Sequence, residues 1–219
     1  MKTITQKELD ALCQNGQAIE SKGGYPAVVI HPDDTVTKFW ARKKGFFSSS
    51  TISPYSNRFI KNAAELTRRG VIVPEIISHA KLEHSHVRIV IYRSLPGESI
   101  RELLKEKPTQ VDIPRLTEYI FQLHKKGISF GGMHLGNIIQ CPNDQGYGLI
   151  DFTDVKFHSK PLSLEQRACN LAVPMRYSKD VQRIEEAGHP SMVQSYLEIL
   201  QPNPNRKQRF LNKVMSAHK

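Results

Sequence analysis

Cysteine is scarce in this chain, acidic residues are outnumbered, and no apolar stretch is long enough to cross a bilayer. The three cysteines, Cys13, Cys141 and Cys169, stand far apart, with no Cys-x-x-Cys pair. That excludes a disulfide framework and a thiolate zinc site as organising features, and it suits free thiols in a reducing compartment. A membrane-spanning helix needs about 20 mostly apolar residues in succession, and no such run occurs. The opening MKTITQKELDALCQNGQ is polar and lacks the apolar core of a secretory signal. A cytoplasmic protein is expected, with at most electrostatic contact at an inner leaflet. Tryptophan occurs once, as Trp40, and the remaining aromatic residues are scattered. Without a base-stacking platform, nucleic acid is not expected as a partner.

Positive charge is what the chain does have. It carries 31 Lys and Arg against 21 Asp and Glu, a net +10. Such a surface favours anionic partners. The densest clusters are Lys38 with Arg42, Lys43 and Lys44, and Arg206, Lys207, Arg209 and Lys213 near the C-terminus. At 219 residues, 39% of them hydrophobic, the chain can bury the core of one generous domain or of two small lobes.

Hydrophobic periodicity changes partway along. YPAVVIH and TVTKFWA read as strands about a PDD turn. NRFIKNAAELTRRG reads as a helix capped by Ser56 or Asn57 and stopped by Gly70. VIVPEIISHA and HVRIVIYRSL are strand-like, so residues 1–95 read as β-β-α-β-β. After the Pro96-Gly97 break, PGESIRELLKEK and the amphipathic IPRLTEYIFQLHKKG are helical, the latter with Leu116, Ile120, Leu123 and His124 on one face. NIIQC and YGLIDF then form a short hairpin, and residues 160–219 are mostly helical. A sheet-rich lobe over 1–95 and a helical lobe over 96–219, with a cleft between them, are expected.

The chemistry concentrates in LHKKGISFGGMHLGNIIQ and GYGLIDFTD. Asn137 and Asp151 lie 14 residues apart at the same end of the expected hairpin. An amide oxygen and a carboxylate are hard donors that suit Mg²⁺ shared with phosphate oxygens.

These residues resemble the protein-kinase-like superfamily, in particular the bacterial lipopolysaccharide core (Kdo and heptose) kinases and their toluene-tolerance-protein branch. LHKKGISFGGMHLGN is similar to that family's helix and catalytic loop, commonly L-H-x-x-G-h-x-H-x-D-h-H-x-G-N. YGLIDF is similar to its metal-binding strand, with D-F-T where protein kinases have D-F-G. YRSLPGESIREL is similar to its hinge. The resemblance spans about residues 20–165. It implies an α+β, protein-kinase-like two-lobed fold, with a small β-rich N-lobe and a helical C-lobe. It implies ATP and Mg²⁺ as cofactors, and an anionic glycolipid or phosphosugar as acceptor, met in the cytoplasm or peripherally at the inner membrane. Residue by residue, Asn137 and Asp151 would hold the metal and Lys38 would neutralise the α- and β-phosphates. Glu65 would pair with that lysine, and Tyr92 to Leu95 would border adenine. Taken without the resemblance, Lys38 on an alternating strand is a solvent-facing residue, and Glu65 an ion-pair partner of Arg68 or Arg69.

The chain departs from the pattern at the acceptor-activating Asp, where it has Gly132, and at the preceding His, where it has Phe130. The phosphate-covering loop is reduced to Lys22-Gly23-Gly24. His134 is a candidate substitute base, or a structural histidine bonding the loop backbone. Asp154 is a further nearby acid, or a turn residue. Gly132→Asp is expected to raise any weak transferase activity. Two functions follow from the resemblance: an ATP-dependent sugar phosphotransferase, and a catalytically inactive pseudokinase that binds nucleotide or acts as a scaffold.

Overall fold

The computed structural model describes residues 1–22, 25–41 and 54–218. The reduced glycine loop at Gly23-Gly24 and the basic cluster at Arg42, Lys43 and Lys44 lie outside the described residues. The architecture is mixed α and β, and the chain divides into two compact units, Met1–Leu95 and Pro96–Lys219.

Among the described residues, the first unit is a six-stranded sheet with a helix on each face. Its elements are β1 (Lys2–Ile4), α1 (Gln6–Cys13), β2 (Gln17–Lys22), β3 (Tyr25–Ile30), β4 (Thr35–Trp40), α2 (Tyr55–Arg68), β5 (Glu75–Leu82) and β6 (Arg88–Arg93). The strand order is β1-β5-β6-β4-β3-β2, with only the β1–β5 pair parallel. Alternation along β4 divides its side chains between the two faces. Phe39 joins Val29, Ile89 and Ala80 in the cluster closed by Leu9 of α1. Lys38 and Trp40 point to the other face, where Phe59 of α2 packs.

Two expectations for this unit need correction. Residues 1–22, to which the β-β-α-β-β reading assigned no element, supply β1, α1 and β2. Their signal is weak because β1 buries only Ile4 and α1 only Leu9. The helix expected from Ser56 or Asn57 begins at Tyr55, and its cap position, Pro54, makes no side-chain hydrogen bond. Ser56 is already inside the helix and buried.

The second unit contains β7 (Glu98–Ser99), α3 (Ile100–Glu106), α4 (Ile113–Lys125), β8 (Ile128–Phe130), β9 (Ile138–Cys141), β10 (Gly146–Leu149) and β11 (Val155–Phe157). It ends in four helices: α5 (Leu164–Met175), α6 (Ser178–Glu186), α7 (Met192–Leu200) and α8 (Pro204–His218). β10, β9 and β7 form one small sheet, and β11 and β8 another. Helix α4 buries Leu116, Ile120, Leu123 and His124, the face its periodicity marks. It stops at Gly127, whose φ is +70° and where a Cβ would come within 2.6 Å of the His158 carbonyl oxygen. Only glycine meets both conditions without strain. The β9–β10 turn places Asn143 and Asp144 at φ of +56° and +55°, conformations these residue types accept.

No helix among the described residues is long and apolar enough to cross a membrane.

Candidate functional site

The loop of interest, residues 131–137, is framed by two antiparallel pairs. β8 enters it and pairs with β11, Phe130 opposite Val155. β9 leaves it and pairs with β10, Ile138 opposite Leu149. One further step along the second register brings the Ile150 N–H onto the Asn137 carbonyl oxygen at 3.0 Å. Asn137 and Asp151 therefore stand at the same end of this hairpin. Their side chains reach that end differently. Asn137 is buried, and its Nδ2 donates to the Gly132 carbonyl oxygen at 2.9 Å. That carbonyl can only accept, so the amide orientation is fixed and Oδ1 is the atom left to serve as a donor to a cation. Asp151 is exposed and holds a left-handed backbone, φ +51° and ψ +38°. Non-glycine residues in that region are uncommon and cluster at functional sites.

The donor set fits Mg²⁺. An amide oxygen and a carboxylate are hard ligands, and Mg²⁺ commonly takes only one or two protein oxygens beside waters and phosphate. No group of three or more His, Cys, Asp or Glu side chains able to hold a metal occurs among the described residues.

His134 is enclosed. Its ring lies 5.0 Å from that of Tyr177, and the Arg101 guanidinium sits 4.6 Å over the same tyrosine. Its Nδ1 is buried with no hydrogen-bond partner. Desolvation first, then the Arg101 charge, pushes its pKa below the ordinary imidazole value, against smaller opposing effects of Asp151 and Asp180. The ring packs between the loop and Tyr177. Arg101 is itself held by Asp180 through Nε at 2.9 Å and Nη2 at 2.8 Å, the carboxylate being buried. A Cβ on Gly136 would lie 3.0 Å from Arg101 Nη1, so the loop passes close over this ion pair.

A second buried network holds the loop from behind. Asn170 of α5 donates to the Phe130 carbonyl oxygen at 2.7 Å and accepts from the Phe130 N–H at 3.1 Å. Its Oδ1 also meets His124 Nε2 at 3.2 Å, while His124 Nδ1 meets the Tyr196 hydroxyl at 2.7 Å. Oδ1 can only accept, so Nε2 carries the proton and Nδ1 accepts from tyrosine. Burial pushes the His124 pKa down to about 3, which keeps this tautomer neutral. Asn170, Arg101 and Asp180 were not marked by the sequence. An Asn inside a helix and an Arg–Asp pair 79 residues apart carry no local pattern.

Gly132, where the resembled motif has its Asp, is not among the residues with positive φ. Space is the restriction there. A Cβ would lie 2.9 Å from Cε2 of the buried Phe130 ring and 3.5 Å from Asn137 Nδ2.

The remaining candidates lie in the first unit. Lys38 is half-buried, with Nζ 5.7 Å from the ring centroids of both Trp40 and Phe59. It is therefore not a plain solvent-facing lysine. Tyr92 packs on Phe59 with centroids 5.5 Å apart, and Leu95 is the last residue of the unit. Glu65 accepts from Arg68 at 2.7 and 2.6 Å and from Arg69 at 2.7 Å. The Arg68 bonds first, then that from Arg69, hold its pKa down to about 2. Both helix-internal contacts open to this carboxylate are made.

No family model matches the chain, and no curated protein does. Among solved structures, the bifunctional kinase-methyltransferase WbdD is similar over 86% of this chain, at 12% identity and a TM-score of 0.49. A monomeric WbdD structure gives 17% identity over 88% of the chain and a TM-score of 0.49. WbdD with the kinase inhibitor LY294002 gives 15% over 86% and a TM-score of 0.48. The chain spans 47%, 44% and 47% of the length of these three structures.

Proposed function

We infer that this protein is an ATP- and Mg²⁺-dependent phosphotransferase acting on a sugar hydroxyl of an anionic glycolipid or phosphosugar of the lipopolysaccharide-core type. The observation that carries this reading is the pairing of two hard oxygen donors at one hairpin end. Asn137 is oriented by its bond to the Gly132 carbonyl, and Asp151 is presented on a strained backbone.

Asn137 and Asp151 would hold the metal, which when bound would neutralise charge on the phosphate oxygens. Lys38 would add a second positive charge. Its side chain is half-buried beside Trp40 and Phe59, which restricts where the charge can lie. His134, Arg101 and Asp180 keep the loop in one conformation. The net +10 charge suits an acidic acceptor.

The test is nucleotide binding and phosphate transfer by purified protein with Mg-ATP and core oligosaccharide. Asn137→Ala, Asp151→Asn and Lys38→Met should each weaken magnesium-dependent nucleotide binding at least about tenfold, roughly the loss of 1.4 kcal/mol. Undiminished binding in all three refutes the reading. The second reading, a pseudokinase, is favoured by Gly132. It predicts magnesium-dependent nucleotide binding without transfer to any acceptor.

A further inference from the structure

The Gly131-Gly132 stretch carries no side chain, yet a carboxylate lies over Gly131. The β8–β11 register pairs Phe130 with Val155. One step further sets Gly131 opposite Asp154, and the Gly131 N–H donates to the Asp154 carbonyl oxygen at 2.8 Å. At this position the Asp154 side chain folds across the glycine. A Cβ on Gly131 would overlap Asp154 Oδ2 and lie 2.9 Å from Asp154 Cγ. The carboxylate thus occupies the space that any residue larger than glycine would take. It is exposed, and it makes no hydrogen bond or ion pair to another side chain among the described residues.

The geometry points to Asp154 as the carboxylate that orients and deprotonates the acceptor hydroxyl, supplied by the turn that leads into the strand opposite the loop. This role rests on the phosphotransferase reading above. In the step it serves, the acceptor oxygen bonds to the γ-phosphorus of the nucleoside triphosphate. The bond from that phosphorus to the bridging oxygen breaks, and its electron pair stays on the nucleoside diphosphate. The hydroxyl proton passes to Asp154 and from there to water. Gly131 has a matching role, since only a residue without a side chain lets the carboxylate lie there.

The test uses the full-length protein and three variants: Asp154→Asn, Gly131→Ala and the double variant. Three quantities are measured: Mg-ATP affinity, thermal stability, and phosphate transfer to core oligosaccharide or, without it, to water. Asp154→Asn should lower kcat by about 10²–10⁴, the usual worth of a positioned base, with nucleotide affinity and melting temperature unchanged. Gly131→Ala should lower kcat by displacing the carboxylate. Once Asp154 is Asn, the alanine should cost nothing further, because the two changes act on one group. Transfer retained in Asp154→Asn overturns the inference. So do additive losses in the double variant, and so does a wild-type protein that binds nucleotide but transfers phosphate to neither acceptor. A wild-type protein that binds no nucleotide overturns the phosphotransferase reading itself.

Discussion

Replacing Asn170 with Ala should be among the most damaging single changes to the second unit. The side chain makes three buried bonds, two to the backbone of Phe130 and one to His124. After truncation the Phe130 carbonyl oxygen keeps one donor, the Met133 N–H at 3.2 Å. The Phe130 N–H and His124 Nε2–H lose their partner in a region closed to water. An orphaned buried donor costs about 1–3 kcal/mol, so two orphans and the small void left behind come to about 3–5 kcal/mol. At about 2–4 °C per kcal/mol for a chain of this size, the melting temperature should fall by about 6–20 °C. Circular dichroism is the suitable assay. The one tryptophan, Trp40, lies in the first unit, whereas α4 to α8 all lie in the second. An Asn170→Ala protein melting within about 2 °C of wild type would show that the network does not hold the loop, and the magnitude above would be wrong.

Two more outcomes follow from the same region. His124 has a folded pKa near 3, so the unfolded chain binds the proton more readily. The stability this contributes is complete above about pH 6.5 and is lost as pH falls toward 3, a total on the order of 5 kcal/mol. The urea midpoint of wild type should decline over that window, and His124→Gln should flatten the decline; an unaltered slope would contradict the assignment. Gly132→Asp should not raise activity, contrary to the expectation from the motif alone. Its Cβ meets the fully buried Phe130 ring, and the crowding should cost about 1–3 kcal/mol in chemical denaturation. A folded, unperturbed and more active variant would refute this.

Much of the fold was legible because period and punctuation agreed. The apolar face of α4, the stop at Gly127 and the β9–β10 turn all write their cause into adjacent residues. β1 and α1 do not, since each buries a single side chain and depends on partners far along the chain. The site divides the same way. The placement of Asn137 and Asp151 at one hairpin end was legible from spacing, because a hairpin converts sequence distance into proximity. The position of Asp154 over Gly131 depends on the β8–β11 register, which a three-residue pair of strands does not announce. Glu65 shows the opposite case. Its helix spacing from Arg68 and Arg69 was readable, and the structure makes both contacts.

The left-handed backbone at Asp151 limits which replacements can be informative there. Asparagine tolerates that conformation and matches the aspartate in shape, so it removes the charge and one acceptor oxygen while keeping the backbone. Glutamate keeps the charge but tolerates the backbone less well and carries its oxygens one methylene further out. Chain length and main-chain geometry thus select for aspartate together, and a loss of binding in the asparagine variant can be assigned to the lost carboxylate without a change of loop shape.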